Sequence, residues 1–219
     1  MKRTGFIAIV GRPNVGKSTL LNTILGEKVA IVSSKPQTTR NRIIGIHTKG
    51  DDQYVFLDTP GMFKPRNSLG SFMVKTANSS MQDADAVILV VDTGKPVSDV
   101  EKNVIKYVKG TQTPCILALN KVDIYRREEI AEKITEYAAL HDFCAVVPMC
   151  AKNGKGVDAV LEECSPFLAE SEFFFPEDIV TDQSERQVAA EIIREKLLRT
   201  LNKEIPHGVA ATASQLKLK

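Results

Sequence analysis

The run Gly11-Arg12-Pro13-Asn14-Val15-Gly16-Lys17-Ser18 constrains this chain more than any other stretch. It follows five apolar residues, Phe6-Ile7-Ala8-Ile9-Val10, and leads into Thr19-Leu20-Leu21-Asn22-Thr23-Ile24-Leu25, an order that reads as strand, glycine loop and helix. The spacing is G-x-x-x-x-G-K-S. Such a loop curls its backbone N–H groups around a polyphosphate at a helix N-terminus, where the helix dipole favours negative charge. Lys17 is then expected to reach the β- and γ-phosphates. Ser18, followed by Thr19 in the first helical turn, is placed to put its hydroxyl on a magnesium ion that bridges the same phosphates.

Beyond this loop the apolar pattern alternates between strand and helix. Ile43–Ile46 and Tyr54–Leu57, separated by Gly50-Asp51-Asp52, read as two antiparallel strands joined by a tight turn. Strand-like runs recur at 86–91, 115–119 and 144–149, between helical patterns near 69–81, 98–109, 128–140 and 156–168. The expected fold is α/β, a P-loop nucleoside-triphosphatase (NTPase) domain with a mostly parallel six-stranded sheet and helices on both faces. Ligands bind such sheets beyond the carboxyl ends of the strands. Two polar stretches, 32–42 and 62–67, read as irregular surface loops.

The 29 basic and 27 acidic residues nearly cancel, so any nucleic-acid surface has to be local rather than a property of the whole chain. The longest apolar run, 86–91, is too short to cross a bilayer, and the N-terminus lacks the apolar core of a signal peptide; a cytoplasmic protein is expected. Cys115, Cys144, Cys150 and Cys164 show no C-x-x-C pairing and read as small core residues. His47, His141 and His207 stand singly and read as structural or solvated.

Asn120-Lys121-Val122-Asp123, directly after the strand 115–119, narrows the nucleotide. A carboxylate at Asp123 accepts hydrogen bonds from the N1–H and 2-amino groups of guanine, whereas adenine presents a lone pair at N1 and no 2-amino group. Mismatching a buried charge in this way can cost a factor of ~10⁴. Lys121 would lie along the base and Asn120 would brace the phosphate loop. Asp58-Thr59-Pro60-Gly61 supplies the phosphate side: Asp58 at a strand end for magnesium, Gly61 to bring a backbone N–H to the γ-phosphate. Thr38 or Thr39 can reach the same ion in the triphosphate state. Two loops held by one phosphate make a switch.

These four elements, in this order, resemble the translation-factor class of GTPases with a Ras-like G domain. The phosphate loop, Gln37-Thr38-Thr39-Arg40-Asn41-Arg42, Asp58-Thr59-Pro60-Gly61 and Cys150-Ala151-Lys152 together resemble the bacterial Era family. So does the tail, Phe175-Pro176-Glu177-Asp178 followed by Glu191-Ile192-Ile193-Arg194-Glu195-Lys196-Leu197. The resemblance implies a GTPase (residues 1–170), a linker (171–183) and the start of a KH-type RNA-binding domain (184–219). It further implies GTP and GDP with magnesium as ligands, small-subunit ribosomal RNA and the small subunit as partners, assistance in ribosome assembly, and peripheral association with the inner face of the cell membrane. Within it, Thr39 is the magnesium ligand of the threonine pair, and backbone N–H groups of Cys150, Ala151 and Lys152 lie near the guanine O6. Lys17, Thr39 and Gly61 are the expected catalytic groups.

Some positions depart from the family pattern. Cys150 replaces a serine, and Met62 stands where related switches carry a water-orienting glutamine. Asn14 is a candidate ligand for potassium beside the phosphates, which would supply the positive charge that an arginine finger supplies elsewhere. No G-x-x-G tetrad follows Ser184, so only the first helix of a KH domain and part of a strand are expected. Two other functions fit the same residues: a guanine-nucleotide binding module with negligible turnover, and a P-loop ATPase or kinase.

Overall fold

The computed structural model describes residues 1–33, 38–39, 41–62 and 68–200. The expectations for Ser34 to Gln37, Arg40, Phe63 to Asn67 and 201–219, His207 among them, lie outside the described residues. Among the described residues seven strands and six α-helices follow in the order β1 (Arg3–Val10), α1 (Lys17–Leu25), β2 (Ile43–Lys49), β3 (Asp52–Asp58), α2 (Ser68–Gln82), β4 (Ala86–Asp92), α3 (Asp99–Thr111), β5 (Cys115–Asn120), α4 (Arg127–Ala138), β6 (Ala145–Pro148), α5 (Val157–Cys164), β7 (Ala169–Glu170) and α6 (Glu185–Thr200).

The sheet order is β2-β3-β1-β4-β5-β6, parallel throughout except for the β2–β3 hairpin. The expected six strands are therefore present, and a seventh joins them. β4 pairs with β1 only from Ile7 onward, which leaves the first residues of β1 with an open edge; β7 fills it, pairing antiparallel with Arg3 and Thr4.

Alternation along β1 divides the core. Ile7 and Ile9 face α1 and α5, packing with Leu20, Leu21, Ile24, Val157 and Val160. Ala8 and Val10 face the opposite layer, with Ala77, Met81, Val104, Ile105, Val108 and Tyr137. Because β1, β3, β4 and β5 run in one direction, Gly11, Asp58, Asp92 and Asn120 all arrive at the same edge of the sheet. Cys115, Cys150 and Cys164 are buried as expected, but Cys144 is exposed because it precedes β6 rather than lying in it.

The aromatic tail of the domain is fastened rather than free. Phe174 stacks on Phe6 with ring centroids 5.3 Å apart, and the Lys2 ammonium sits over the Phe173 ring. Gln53, fully buried in β3, does most of the holding: its Oε1 accepts from the backbone N–H groups of Phe174 (3.0 Å) and Phe175 (3.1 Å), and its Nε2 donates to the Phe175 carbonyl (2.8 Å). Further on, Thr181 bridges to Gly45 on the outer edge of β2, and Ile46 donates its N–H to the Val180 carbonyl at 2.8 Å.

α6 corrects one expectation. Val188, Ile192, Leu197 and Leu201, the last outside the described residues, recur at near-helical spacing, which predicts an apolar face turned toward a partner. The residues most buried are instead Ala190, Arg194, Glu195 and Leu198, while Ile193 and Leu197 are exposed. The helix lies on the domain through a mixed polar face because what it meets there is polar loop backbone and Lys28.

Replacing Gln53 by Leu leaves three backbone groups of the tail without their partner. The expected cost is about 2 kcal/mol in denaturant unfolding, with faster hydrogen exchange at the Phe174 and Phe175 amides. Unchanged exchange at those amides would show that Gln53 does not hold the segment.

Candidate nucleotide-binding site

The phosphate loop folds as its glycines require. Gly16 has φ 107°, in the left-handed region, and a Cβ there would stand 2.1 Å from Asn120 Nδ2, so no side chain is compatible with the loop's closure onto β5. Asn14 also has positive φ, at 64°, a conformation asparagine tolerates better than most residues. Its identity thus has a backbone cause apart from any ion. Gly61 approaches so closely that an added Cβ would lie 2.7 Å from the Pro13 Cα. Met62 donates its N–H to the Gly11 carbonyl (3.0 Å), and Thr59 Oγ1 donates to the Ile9 carbonyl (2.8 Å), so the buried Asp58-Thr59-Pro60-Gly61 segment is tied to β1 and the loop. The Met62 side chain is buried in the core layer with Ala8 and Val10.

Lys17 is buried and donates to the carbonyls of Gly11 (3.1 Å) and Arg12 (2.9 Å). Burial pulls its pKa down to about 8, partly offset by the Asp58 charge. Asp58 is fully buried; burial raises its pKa to about 6 against the opposing pull of Lys17 and of a hydrogen bond from Ser18. Ser18 Oγ donates to Asp58 Oδ2 across 2.6 Å and lies 3.0 Å from Thr39 Oγ1. The side chain of Thr39 therefore stands beside Ser18, which in turn holds Asp58.

Three oxygens of this kind suit a magnesium ion. Two neighbouring ligands of an octahedral ion with bonds near 2.1 Å lie about 3 Å apart, which matches the Ser18–Thr39 separation. Asp58 Oδ1 is buried with no hydrogen-bond partner, a cost that a cation or its water would remove. Among the described residues no cluster of three or more His, Cys, Asp or Glu suits a metal, so the site draws on hydroxyls and a single carboxylate.

The base side is built from β5. Asn120 is buried; its Nδ2 donates to the Val15 carbonyl (2.7 Å) and its Oδ1 accepts from the Ala151 N–H (2.9 Å). Lys121, with φ 69°, turns the chain so that Val122 is buried and Asp123 exposed, and its Nζ donates to Asp92 Oδ2 at 2.7 Å. Thr23 Oγ1 holds the Ala151 carbonyl at 2.6 Å. Two of the three amides expected at the base are already engaged: Cys150 donates to the Lys155 carbonyl and Ala151 to Asn120. Lys152 is exposed at the rim.

Sequence reasoning missed three supports. Glu101, fully buried in α3, forms an ion pair with Arg12 at 2.5 Å, and also caps its own helix through Ser98. The Ser98-x-x-Glu101 spacing could have shown the cap, though not the contact to Arg12. Asp92 at the end of β4 steers Lys121. Arg194 of α6 donates to the Thr38 carbonyl at 2.6 Å.

The family described as 50S ribosome-binding GTPase matches residues 6–121. GTPase Era of Clostridioides difficile is 45% identical over 218 residues, 99% of this chain and 73% of that protein. GTPase Era of Syntrophus aciditrophicus is 46% identical, over 99% of this chain and 71% of its own length. A solved Era in complex with MgGDPNP and nucleotides 1506–1542 of 16S ribosomal RNA superposes with a TM-score of 0.89 at 37% identity, covering 94% of this chain and 70% of that one. An Aquifex aeolicus Era variant bound to GDP·AlF4− gives 0.87 at 38% identity, covering 93% of this chain and 70% of that one.

The Asp58 environment has a consequence for pH. A carboxyl whose folded pKa is raised favours folding while protonated, and that advantage is lost as pH rises from its unfolded value near 4 through about 6. In nucleotide-free, metal-free protein, Asp58→Asn is expected to raise stability at pH 7.5 by on the order of 2 kcal/mol and to do little at pH 4.5. Thermal melts at both pH values check it; equal effects at both would contradict the burial argument.

Proposed function

The chain belongs to the Era family of GTPases, and from that premise we propose that it is a GTP-hydrolysing molecular switch that assists small ribosomal subunit assembly by binding its RNA. One observation carries the switch: the hydroxyls of Ser18 and Thr39 lie 3.0 Å apart beside the buried carboxylate of Asp58, on three separate segments. In this reading Ser18, Thr39 and Asp58 hold magnesium, which when bound offsets charge on the β- and γ-phosphates. The backbone N–H groups from Asn14 to Thr19 cradle the phosphates. Lys17 exchanges its two loop carbonyls for phosphate oxygens, and Gly61 offers its N–H to the γ-phosphate. Release of that phosphate would take from Gly61 its acceptor and from Thr39 the magnesium–triphosphate state it serves, and both loops would relax.

Asp123 reads guanine, Lys121 flanks the base while Asp92 holds its ammonium, and the exposed end of Cys150-Ala151-Lys152 covers it. With the amides of Cys150 and Ala151 engaged, the contact to O6 falls to Lys152. The buried Met62 leaves the attacking water to other groups, and a potassium ion at Asn14 is the candidate we favour, because Asn14 is exposed within the loop that borders the triphosphate. The ATPase and kinase reading is set aside on family membership.

Residues 1–170 are taken as the G domain, 171–183 as a fastened linker and 184–219 as the start of a KH-type domain. The family description names the large subunit, whereas the solved relative carries RNA of the small one. The solved relative aligns with 94% of the chain, including the segment beyond the G domain, so the small-subunit reading is preferred. Peripheral membrane association rests on family resemblance alone. Among the described residues no helix is long and apolar enough to cross a membrane.

Asp123→Asn tests the base assignment. Preference is expected to move from GTP toward xanthosine triphosphate by at least about a hundredfold in relative affinity, since one carboxylate contact set is exchanged for an amide. Unchanged preference would remove Asp123 from the base site. For the potassium site, turnover in potassium buffer should exceed that in sodium, and Asn14→Ala should level the two; equal turnover in both salts by the unaltered chain would discard that ion.

A further inference from the structure

α6 brings a buried guanidinium to the loop that carries Thr39. Arg194 is 3% exposed, and its Nη2 donates to the Thr38 carbonyl oxygen across 2.6 Å. Glu191, one turn earlier, accepts from Nε at 3.0 Å and from Nη2 as well, which fixes the plane of the guanidinium. Beside it Glu195, fully buried, pairs with Lys28 just beyond α1. The chain leading into α6 is tied to β2, the strand that follows the Thr39 segment. Thr181 Oγ1 donates to the Ile44 carbonyl at 2.7 Å, and Val180 accepts from Ile46. Burying two charged side chains on one short face costs desolvation that apolar packing would avoid, so stability alone is a poor account of them.

What Arg194 fixes is a peptide plane. The carbonyl oxygen of Thr38 and the nitrogen and Cα of Thr39 belong to one planar unit, so holding the oxygen restricts where the Thr39 side chain can stand. That side chain is the one 3.0 Å from Ser18 Oγ. We propose that Arg194 is a positioning residue for Thr39: with α6 seated, the Thr39 hydroxyl is pre-set for the magnesium–triphosphate state, and binding of that state in turn favours the seated helix. The proposal rests on the reading that Thr39 binds magnesium. Coupling of this kind is reciprocal, so whatever draws α6 away weakens triphosphate binding by the same factor. GDP has no γ-phosphate and does not call on Thr39. Its affinity is therefore independent of Arg194.

The test uses the full 219-residue chain with Arg194→Met, which keeps the apolar stem and removes the donors. Affinities for GDP and for a non-hydrolysable GTP analogue are measured across a magnesium titration. The analogue is expected to bind about tenfold more weakly and to need more magnesium, as suits the loss of one charge-assisted hydrogen bond, while GDP affinity stays within about twofold. Thr39→Ala should show the same pattern, and Arg194→Met should add nothing in that background. Equal weakening of both nucleotides, or no change in either, overturns the positioning role. If Thr39→Ala alone leaves the analogue and its magnesium requirement unaltered, the metal reading fails and takes the proposal with it. If only Arg194→Met is silent, the proposal alone falls. Should Arg194→Met fail to bind GDP through misfolding, Arg194→Lys serves instead: it keeps the charge pair with Glu191 but replaces the longer, rigid fork that spans Glu191 and the Thr38 carbonyl, so a smaller loss confined to the analogue is expected, and its absence overturns the proposal.

Discussion

One side-chain amide joins the two halves of the site. Asn120 gives its Nδ2 to Val15 in the phosphate loop and takes the Ala151 N–H on its Oδ1, so the loop, β5 and the segment after β6 hold a common geometry. The contact needs a glycine at position 16, because any Cβ there would occupy the space of the amide. It also needs the parallel register of β1, β4 and β5, which brings three strand ends to one edge. A buried amide bonded at both ends is costly to disturb, since loss of either partner leaves a polar atom unsatisfied. The phosphate and base subsites are therefore coupled before any nucleotide arrives.

Around that fixed frame the structure places groups that are poorly satisfied without ligand. Asp58 is buried with one oxygen unpartnered, and Lys17 is buried against backbone carbonyls. Their pKa values shift toward the neutral forms, as expected for charges withdrawn from water. In the proposed reading, Asp58 would hold magnesium and Lys17 the phosphates, and each would gain the partner it lacks within the chain. Buried charges that the chain itself satisfies poorly are a pattern seen where function takes precedence over stability.

Much of this was legible in the sequence because it depends on local spacing. The glycine loop, Asp58-Thr59-Pro60-Gly61 and Asn120-Lys121-Val122-Asp123 each sit where a strand ends, and strand ends are visible as the close of an apolar run. Six strands could be read the same way; β7 could not, because two residues have no periodicity and its place follows from the open edge of β1. The approach of the Thr39 hydroxyl to within 3.0 Å of Ser18 Oγ needed three dimensions, since the two residues are 21 positions apart. So did Arg12 with Glu101 and Arg194 with Thr38, contacts between residues 89 and 156 positions apart. The face that α6 buries was not legible for a related reason. Helical periodicity reports where apolar residues fall, whereas the helix docks by charge pairs onto loop backbone and Lys28.

Single-turnover conversion of bound GTP by the 219-residue chain in magnesium and potassium, with ATP offered at equal concentration in a parallel reaction, bears most directly on the site as a whole. The expected result is GDP and phosphate from GTP, with ATP turned over slower by a factor of ~10⁴, since Asp123 leaves adenine mispaired. Comparable turnover of ATP, or GTP held without any product, would contradict a guanine-specific hydrolytic switch.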